Sequence, residues 1–522
     1  MARHDGKRVC VIGAGIAGLV TAKVLHDDGF DVAVFEKAPA IGGVWASSRT
    51  YPGLRANNSR DSYAFSDYPY PATADDFPTA EQIRAYLESY ANHFGIWPRI
   101  RTSIEVVTVA RAAVNAAPQS LDVRLAQGGD GARFHVTIRP AAAGAGTPTT
   151  LPFDFAVVCN GVFSEPLLPQ IEGRERFAGA VLHSSQAVDP SHLETKDVIV
   201  VGAGKSALDC ATWAARHARS CTLVFRTAHW MMPRYFFGLV RGDRVIMTRF
   251  SELFLRYHRR GRIEALLHGP GRPFLRLFWR GLSRILRLML GMPPALVPEQ
   301  ALPVGFENVG VGGEFYKALR LATLVPKRAQ IAAFTGPRTV QLSTGERLDA
   351  DVVVCATGWR QGVEFLDADL RALVRTDGCF RLYRHILPPL EQRLGFVGYA
   401  SSTACQLTSE VAAHWLSQCF RGELSLPSTA EMEREISRVL EWASEVVPKC
   451  REGYFVGPFV AHYVDDLMRD MGLPRARTGS VLTEYLAPFW PRRYQGLKEE
   501  RRRAQSAPPI GAQPATSLGP LA

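Results

Sequence analysis

Two glycine-rich turns in this chain of 522 residues carry the residue types that hold a diphosphate, and the charges that close them are opposite in sign. Gly13-x-Gly15-x-x-Gly18 follows the apolar run Val9 to Ile12, and Glu36 ends the next run, Val32-Ala33-Val34-Phe35. Gly202-x-Gly204-x-x-Ala207 follows Val198 to Val201, and Thr222-Leu223-Val224-Phe225 ends in Arg226. First glycine to closing charge is roughly 23 residues in one copy and 24 in the other, the helix-plus-turn of a βαβ unit. The first glycine permits the tight turn, the second lets backbone N–H groups approach a pyrophosphate, and the third lets helix and strand pack closely. Glu36 suits a ribose diol and repels a 2′-phosphate, whereas Arg226, helped by Thr227 and Lys205, attracts one. The first site therefore suits FAD or NAD and the second suits NADP.

The elements that position these turns are legible around them. A Tyr- and Pro-rich stretch, Tyr51 to Pro78, leads into a helix from Thr79 to Phe94, with Gln82 placed to complete a capping box on Thr79. Alternating strands are expected near Ile104 to Val109, Leu121 to Leu125 and Phe134 to Ile138, as a meander over the first sheet. Phe155-Ala-Val-Val-Cys-Asn-Gly161 reads as a buried strand ending in a glycine turn, and Asp351-Val-Val-Val-Cys-Ala-Thr-Gly358 repeats that pattern. The expected organisation is a first nucleotide domain over 1–165 and a second over 166–325, the latter with a basic insertion near 234–292. The chain then returns to the first domain over 326–427. A mostly helical extension follows over 428–505, and 506–522 reads as a disordered Pro/Gly/Ala/Ser tail.

Composition bounds the remaining classes. Hydrophobic residues make up 47% and charged residues 21%, ordinary for a multidomain soluble enzyme. The start of the chain does not resemble a signal peptide, and no apolar stretch reaches a membrane span, so a cytoplasmic protein is expected. The nine cysteines include no C-x-x-C pair, and the thirteen histidines include no H-E-x-x-H, so neither a dithiol centre nor a metal site is expected. The net charge of +11 falls unevenly, much of it between Arg234 and Arg287 and in Arg492, Arg493, Lys498, Arg501, Arg502 and Arg503. No nucleic-acid-binding signature accompanies it. Phe274, Leu275, Phe278, Leu282, Ile285, Leu286 and Met289 recur at helical spacing, with Arg276, Arg280, Arg284 and Arg287 on the other face. That is a basic amphipathic helix. Its ordinary role is to lie on the body with solvated arginines; the alternatives are peripheral contact with an anionic membrane or a lid over an apolar substrate entrance.

Taken in order, the motifs resemble those of the class B flavoprotein monooxygenases, particularly the flavin-containing N/S-oxygenases. The resemblance covers roughly residues 8 to 420 and rests on Gly13, Gly15 and Gly18; Gly42-Gly43-Val-Trp45; Phe65-Ser-Asp67-Tyr-Pro69; Phe177-x-Gly179-x-x-x-His183; Val-Gly-Ala-Gly-Lys-Ser-Ala-Leu-Asp around Gly202; and Ala356-Thr357-Gly358. Phe396-Val-Gly398 and the run Thr408 to Trp415 resemble the closing FAD-binding segment. The resemblance implies an α/β fold of two nested Rossmann-type domains, a glutathione-reductase-like FAD domain plus an NADPH domain, with a helical C-terminal extension. The cofactor-binding residues it implies are Gly13, Gly15, Gly18, Glu36, Gly43, Trp45, Gly202, Gly204, Lys205, Ser206, Arg226, Thr357 and Gly358.

The chemistry implied is that NADPH reduces FAD, the flavin captures O₂ as a C4a-hydroperoxide, and a small-molecule substrate takes the distal oxygen. Asn57 matches the position of an asparagine beside the flavin in the N/S-oxygenases; the plainer reading is that Asn57 or Asn58 shapes an Asx turn. His183 sits where the family has a domain linker, so orienting that linker is its expected role. Two positions depart from the pattern. Ala187 stands where an aromatic is usual, and Tyr51-Pro52-Gly53-Leu54-Arg55 resembles Baeyer–Villiger monooxygenases, in which a carboxylate stands where this chain has Asn57. Ketone oxygenation uses a deprotonated peroxide and heteroatom oxygenation an electrophilic hydroperoxide, so the missing charge points to N- or S-oxygenation, with Baeyer–Villiger oxygenation as the alternative. A disulfide reductase lacks its C-x-x-C here, and a noncatalytic FAD-fold protein would have no use for the second fingerprint.

Overall fold

In the computed structural model, which describes residues 6–112, 133–142, 146–187, 189–303, 306–311, 313–446 and 455–506, the two apolar runs become the central strands of two five-stranded parallel sheets. The first sheet runs Leu394–Phe396, Phe155–Val158, Arg8–Ile12, Asp31–Phe35 and Ile100–Arg101. The second runs Val325–Arg328, Ser220–Phe225, Asp197–Val201, Val352–Cys355 and Ala180–His183. Both faces of such sheets are covered at the centre, so the central strands are mostly apolar rather than alternating, whereas the edge strands Val325–Arg328 and Ile100–Arg101 carry charged residues. Val9, Val11, Val198 and Val200 are all buried.

The two sheets are built to one plan. In each, the central strand feeds a helix, Ile16–Asp27 or Lys205–His217, whose N-cap is an extended glycine, Gly15 or Gly204, with no side-chain cap. Gly13 and Gly202 adopt φ of +103° and +130°. A Cβ on Gly13 would lie 2.7 Å from the carbonyl oxygen of Cys159, and one on Gly202 would overlap that of Ala356. Cys159 and Ala356 each follow the strand paired with the fingerprint strand, Phe155–Val158 and Val352–Cys355 respectively. In each domain, therefore, only glycine lets the turn pass beneath the end of the neighbouring strand.

This correspondence corrects the expected return at 326. Val325–Arg328 and Val352–Cys355 pair within the second sheet, and an antiparallel layer, Ile331–Phe334, Thr339–Leu342 and Arg347–Asp349, packs on it. The first sheet is re-entered only at Leu394–Phe396. Two antiparallel strands, Glu165–Pro166 and Trp359–Arg360, carry the chain across in both directions. Over the first sheet the antiparallel layer is Ile104–Arg111, Phe134–Pro140 and Thr149–Phe153. The strand expected at Leu121 to Leu125 lies outside the described residues, as does the tail from 507. Helix Ala80–His93 starts at the capping box, with Gln82 N donating to Thr79 Oγ1 at 3.2 Å and Thr79 N to Gln82 Oε1 at 3.0 Å.

The C-terminal helices belong to the core of the first domain. Helix Cys405–Phe420 is buried along almost its whole length and packs on Ile16–Asp27. A Cβ on Gly398 would come within 2.9 Å of Ala17 Cβ, which shows how closely the segment entering it approaches the first helix. Arg501, in helix Leu497–Ser506, reaches Asp28 at 2.6 Å with both side chains buried. Arg384 pairs with Asp470, 2.7 Å away in helix Val460–Asp470, and with Glu435 in helix Thr429–Val446.

The insertion is bolted to this extension. Arg249 grips Asp465 with bonds of 2.6 and 2.8 Å, and His462 lies between two carboxylates, Glu252 and Glu264, each 2.6 Å from a ring nitrogen. These two carboxylates outweigh burial and push His462 up to about 10. The pair of ion bridges forms only on folding, so its stabilisation is whole below the ordinary histidine value of 6.5 and is lost as pH rises through about 10. The melting temperature is thus expected to fall by roughly 3–6 °C between neutral pH and about pH 9.5, and His462→Gln should flatten that slope in thermal melts. An unchanged slope in the variant would refute the assignment.

The amphipathic helix spans Arg272–Leu290, but its faces differ from the expected ones. Leu275, Leu286 and Leu290 are buried and Phe278, Leu282 and Met289 partly so, whereas Phe274 and Ile285 point to solvent. The body covers only one edge of the apolar arc, because the contacts come from one side, through Phe254 stacked 4.5 Å from Phe278 and through the second-domain core. Among the described residues, no helix is long and apolar enough to cross a membrane, and no cluster of three or more His, Cys, Asp or Glu is placed to hold a metal.

Candidate active site

The first fingerprint presents backbone rather than side chains. A Cβ on Gly43 would lie 3.1 Å from Gly15 Cα, and one on Gly15 would lie 3.5 Å from Gly43 Cα, so the strip between these turns is lined by main chain. Gly42 N donates to Ala14 O at 2.9 Å and fixes their separation. The first-turn N–H groups of Ile16–Asp27 have no side-chain cap, the arrangement that accepts a diphosphate. Glu36 is buried and accepts from Ala14 N and Ala38 N, both at 2.8 Å. Two backbone bonds leave lone pairs on both oxygens for a ribose diol while fixing where the charge sits. Trp45 is buried, its Nε1 donating to Tyr63 Oη at 3.1 Å. These residues fit the adenosine diphosphate half of a dinucleotide.

The second fingerprint differs where discrimination matters. A Cβ on Gly204 would meet nothing within 4 Å, so space lies open before the helix N-terminus. Arg226 is exposed at the end of Ser220–Phe225, beside exposed Thr227, and has no hydrogen-bond or ion-pair partner among the described residues. That suits capture of a 2′-phosphate. Lys205 does not join it. Its amine pairs with Asp209, one turn along the same helix, and burial lowers its pKa. Asp209 also accepts from Tyr51 Oη at 3.1 Å, and Tyr51 reaches Ser206 Oγ at 3.5 Å. Buried Tyr51 thus carries the first domain onto the first turn of the second-domain helix, a contact across 158 residues that no local pattern announces.

Thr357 and Gly358 sit at the crossing between domains. Thr357 Oγ1 donates to Leu167 O at 2.5 Å, and the Gly358 carbonyl accepts from Leu167 N at 3.0 Å. His183, fully buried, has Nε2 3.0 Å from the same carbonyl and accepts at Nδ1 from Ser185 N at 3.2 Å. Those partners select the neutral Nε2–H tautomer, and burial holds the imidazole below the usual histidine range. His183 therefore orients the crossing strands.

Asn57 lies exposed at a cleft between the domains whose lining includes Asn58, Arg234, Met247, Gly310 and Thr403. A Cβ on Gly310 would come 3.1 Å from Asn57 Oδ1, so a second-domain glycine makes room for this amide. Asn58 closes no local turn with its side chain; its Nδ2 donates to Thr403 O, 345 residues away, beside the start of helix Cys405–Phe420. Among the described residues the one acid lining the cleft is Asp243; its Oδ2 accepts from Ser59 Oγ, while its buried Oδ1 lies 3.3 Å from Arg241 Nε as an ion pair and accepts no hydrogen bond. Arg234 overlies Phe77 at 5.5 Å, and its buried Nε has no hydrogen-bond partner among the described residues. The motif at Phe65-Ser66-Asp67 is structural here. Ser66 donates through N and Oγ to buried Glu410, at 2.8 and 2.5 Å, and burial with the Asp67 charge raises Glu410 to about 7.

A family model described as flavin-binding monooxygenase-like matches residues 6–267 and 317–477, and the helix Arg272–Leu290 lies in the interval between them. A protein named probable flavin-containing monooxygenase 1, from Arabidopsis thaliana, is 30% identical over 95% of this chain and 97% of its own length. The S-allyl-L-cysteine S-oxygenase of Allium sativum superposes with a TM-score of 0.60 at 22% identity, over 90% of this chain and 89% of that one. An open crystal structure of cyclohexanone monooxygenase gives 0.62 at 17% identity, over 89% and 97%. Fold similarity is thus near equal toward the two.

Proposed function

This chain belongs to the flavin-binding monooxygenase-like family, and from that premise we propose that it places one atom of O₂ on the nitrogen or sulfur of a small-molecule nucleophile. FAD is held on the first fingerprint and NADPH on the second. When bound, the two cofactors supply hydride transfer and the activation of O₂. The chain's own residues bind, orient and exclude water. Gly13, Gly15, Gly18 and Gly43 bring main chain to the FAD diphosphate, Glu36 takes its ribose, and Arg226 takes the NADPH 2′-phosphate. Tyr51 fixes the second-domain helix against the first domain, and Thr357, Gly358 and His183 hold the strands that cross between the domains.

The observation that carries heteroatom oxygenation is the state of charge around Asn57. This neutral amide supplies hydrogen bonds without taking a proton, and Asp243, the acid of the lining among the described residues, is held as an ion pair with Arg241 and accepts from Ser59 through one oxygen only. With Asn57 neutral and Asp243 ion-paired to Arg241, the residues of the cleft would favour the protonated form of whatever oxidant the bound cofactors supply. Arg234 favours the second reading, Baeyer–Villiger oxygenation of a ketone, since a part-buried guanidinium with an unbonded Nε stabilises an anionic oxidant.

The deciding experiment offers the FAD-loaded enzyme, NADPH and O₂ either N,N-dimethylaniline, thioanisole or cyclohexanone and identifies products by mass. N-oxide or sulfoxide without lactone is the expected outcome; lactone alone overturns the reading. In the same assay Asn57→Asp should lower N- and S-oxygenation by roughly tenfold to hundredfold while NADPH still bleaches the flavin. Unaltered turnover would remove Asn57 from the machinery.

A further inference from the structure

Helix Arg272–Leu290 has three faces, and only one is explained by packing. Leu275, Leu286 and Leu290 meet the body. Beside them runs a solvent-facing apolar stripe at steps of three and four residues: Phe274, Leu277, Gly281, Ile285 and Leu288, with Phe274 56%, Leu277 72%, Ile285 52% and Leu288 76% exposed. Beside that stripe run Arg276, Arg280, Arg284 and Arg287, all exposed and without an ion pair or side-chain hydrogen bond among the described residues. The apolar surface extends onto the neighbouring helix Arg262–His268, which exposes Ile263 and Leu266. It also continues through Phe278, stacked on Phe254, toward exposed Phe250.

We propose that this face seats the protein on an anionic lipid surface, with the leucine stripe entering the acyl boundary and the arginine row at the headgroups. Charge selects that occupant. From 253 to 298 the chain carries nine arginines and a single acid, Glu264, and that acid is buried against His462. A second copy docking face to face would set arginine rows against each other. A bilayer with acidic headgroups instead satisfies both stripes at once, and long arginine side chains reach from the apolar level to the phosphate level. The arms between helix and body, Arg249 to Asp465 and His462 to Glu252 and Glu264, hold the face rigid, so binding orders little that is not already ordered.

The test is flotation of the FAD-loaded protein with vesicles of phosphatidylcholine, or of the same lipid with about a third replaced by phosphatidylglycerol. Wild type is expected to float with the acidic vesicles at low salt, to be released by high salt, and to stay behind with the neutral ones. The double variants Leu277→Ser/Leu288→Ser and Arg280→Gln/Arg284→Gln should each lose at least tenfold in partitioning while keeping their flavin absorbance and melting temperature, which separates lost docking from lost fold. Absent flotation, equal flotation with both lipids, or flotation unaltered in both variants overturns the proposal. So does concentration-dependent dimerisation that Leu277→Ser/Leu288→Ser abolishes in the absence of vesicle binding, which would assign the face to a second copy.

Discussion

Gly18→Ala protein is expected to emerge from purification colourless, or not to emerge at all. A Cβ at that position would overlap the Gly13 carbonyl oxygen and lie 2.9 Å from its carbon. Gly13 cannot yield, because its own Cβ position is 2.7 Å from Cys159 O and its N–H is bonded to Phe35 O at 2.8 Å. The helix Ile16–Asp27 would have to lift off the strand, moving the N–H groups that face the diphosphate and disturbing its packing on Cys405–Phe420. Overpacking of that kind costs about 1–3 kcal/mol or more, and the displaced anion site would lower FAD affinity by a further large factor. The second fingerprint supplies the control. There the third position is already Ala207, whose Cβ sits 3.3 Å from where a Cβ on Gly202 would be, so that helix stands off by the width of a methyl group. Ala207→Gly is therefore expected to keep both the fold and the flavin. Visible absorbance of the purified proteins reads both outcomes, and a yellow, fully loaded Gly18→Ala protein would refute this account of the first turn.

Arg226→Ala should raise the apparent KM for NADPH by roughly tenfold to hundredfold, the worth of about 1.5–3 kcal/mol for a charge-assisted contact to phosphate, and leave the KM for NADH unchanged. Arg226 is exposed, so part of its effect is long-range attraction, and raising ionic strength should narrow the gap between wild type and variant. Lys205→Ala is the contrasting case. Its amine is bonded to Asp209, which also holds Tyr51, so its loss should affect stability and both nucleotides alike. Anaerobic bleaching of the flavin by each nucleotide separates the two residues. Equal effects of Arg226→Ala on NADPH and NADH would show that another group reads the phosphate.

The glycine turns, their strands and the charges Glu36 and Arg226 that close them were legible because turn, helix and closing charge follow one another within about 25 residues, although the carbonyls of Cys159 and Ala356 that make Gly13 and Gly202 necessary come from far along the chain. The capping box at Thr79 and Gln82 was legible for the same reason. The domain crossing was misplaced because Phe155–Val158 and Val352–Cys355 are both short, fully buried apolar runs with a glycine turn soon after them. Nothing within either run says which sheet it joins. The helix Arg272–Leu290 was legible as a helix, but which part of its apolar arc is covered depends on Phe254 and the second-domain core, which meet it from one side. Tyr51 was visible only as part of a motif; its bond to Asp209 is a tertiary fact.

By itself, the sequence determined two βαβ units of the nucleotide-binding type closed by charges of opposite sign, because a turn, a helix N-terminus and a closing charge are local chemistry. Only the tertiary structure decided how the two units interlock, that Asp243 is ion-paired with Arg241 and Arg234 keeps an unbonded Nε in the cleft that Asn57 lines, and that a row of apolar side chains and arginines is left facing outward. Those outcomes depend on which distant segments arrive at the same place, and burial and pairing are set there rather than in the order of the residues.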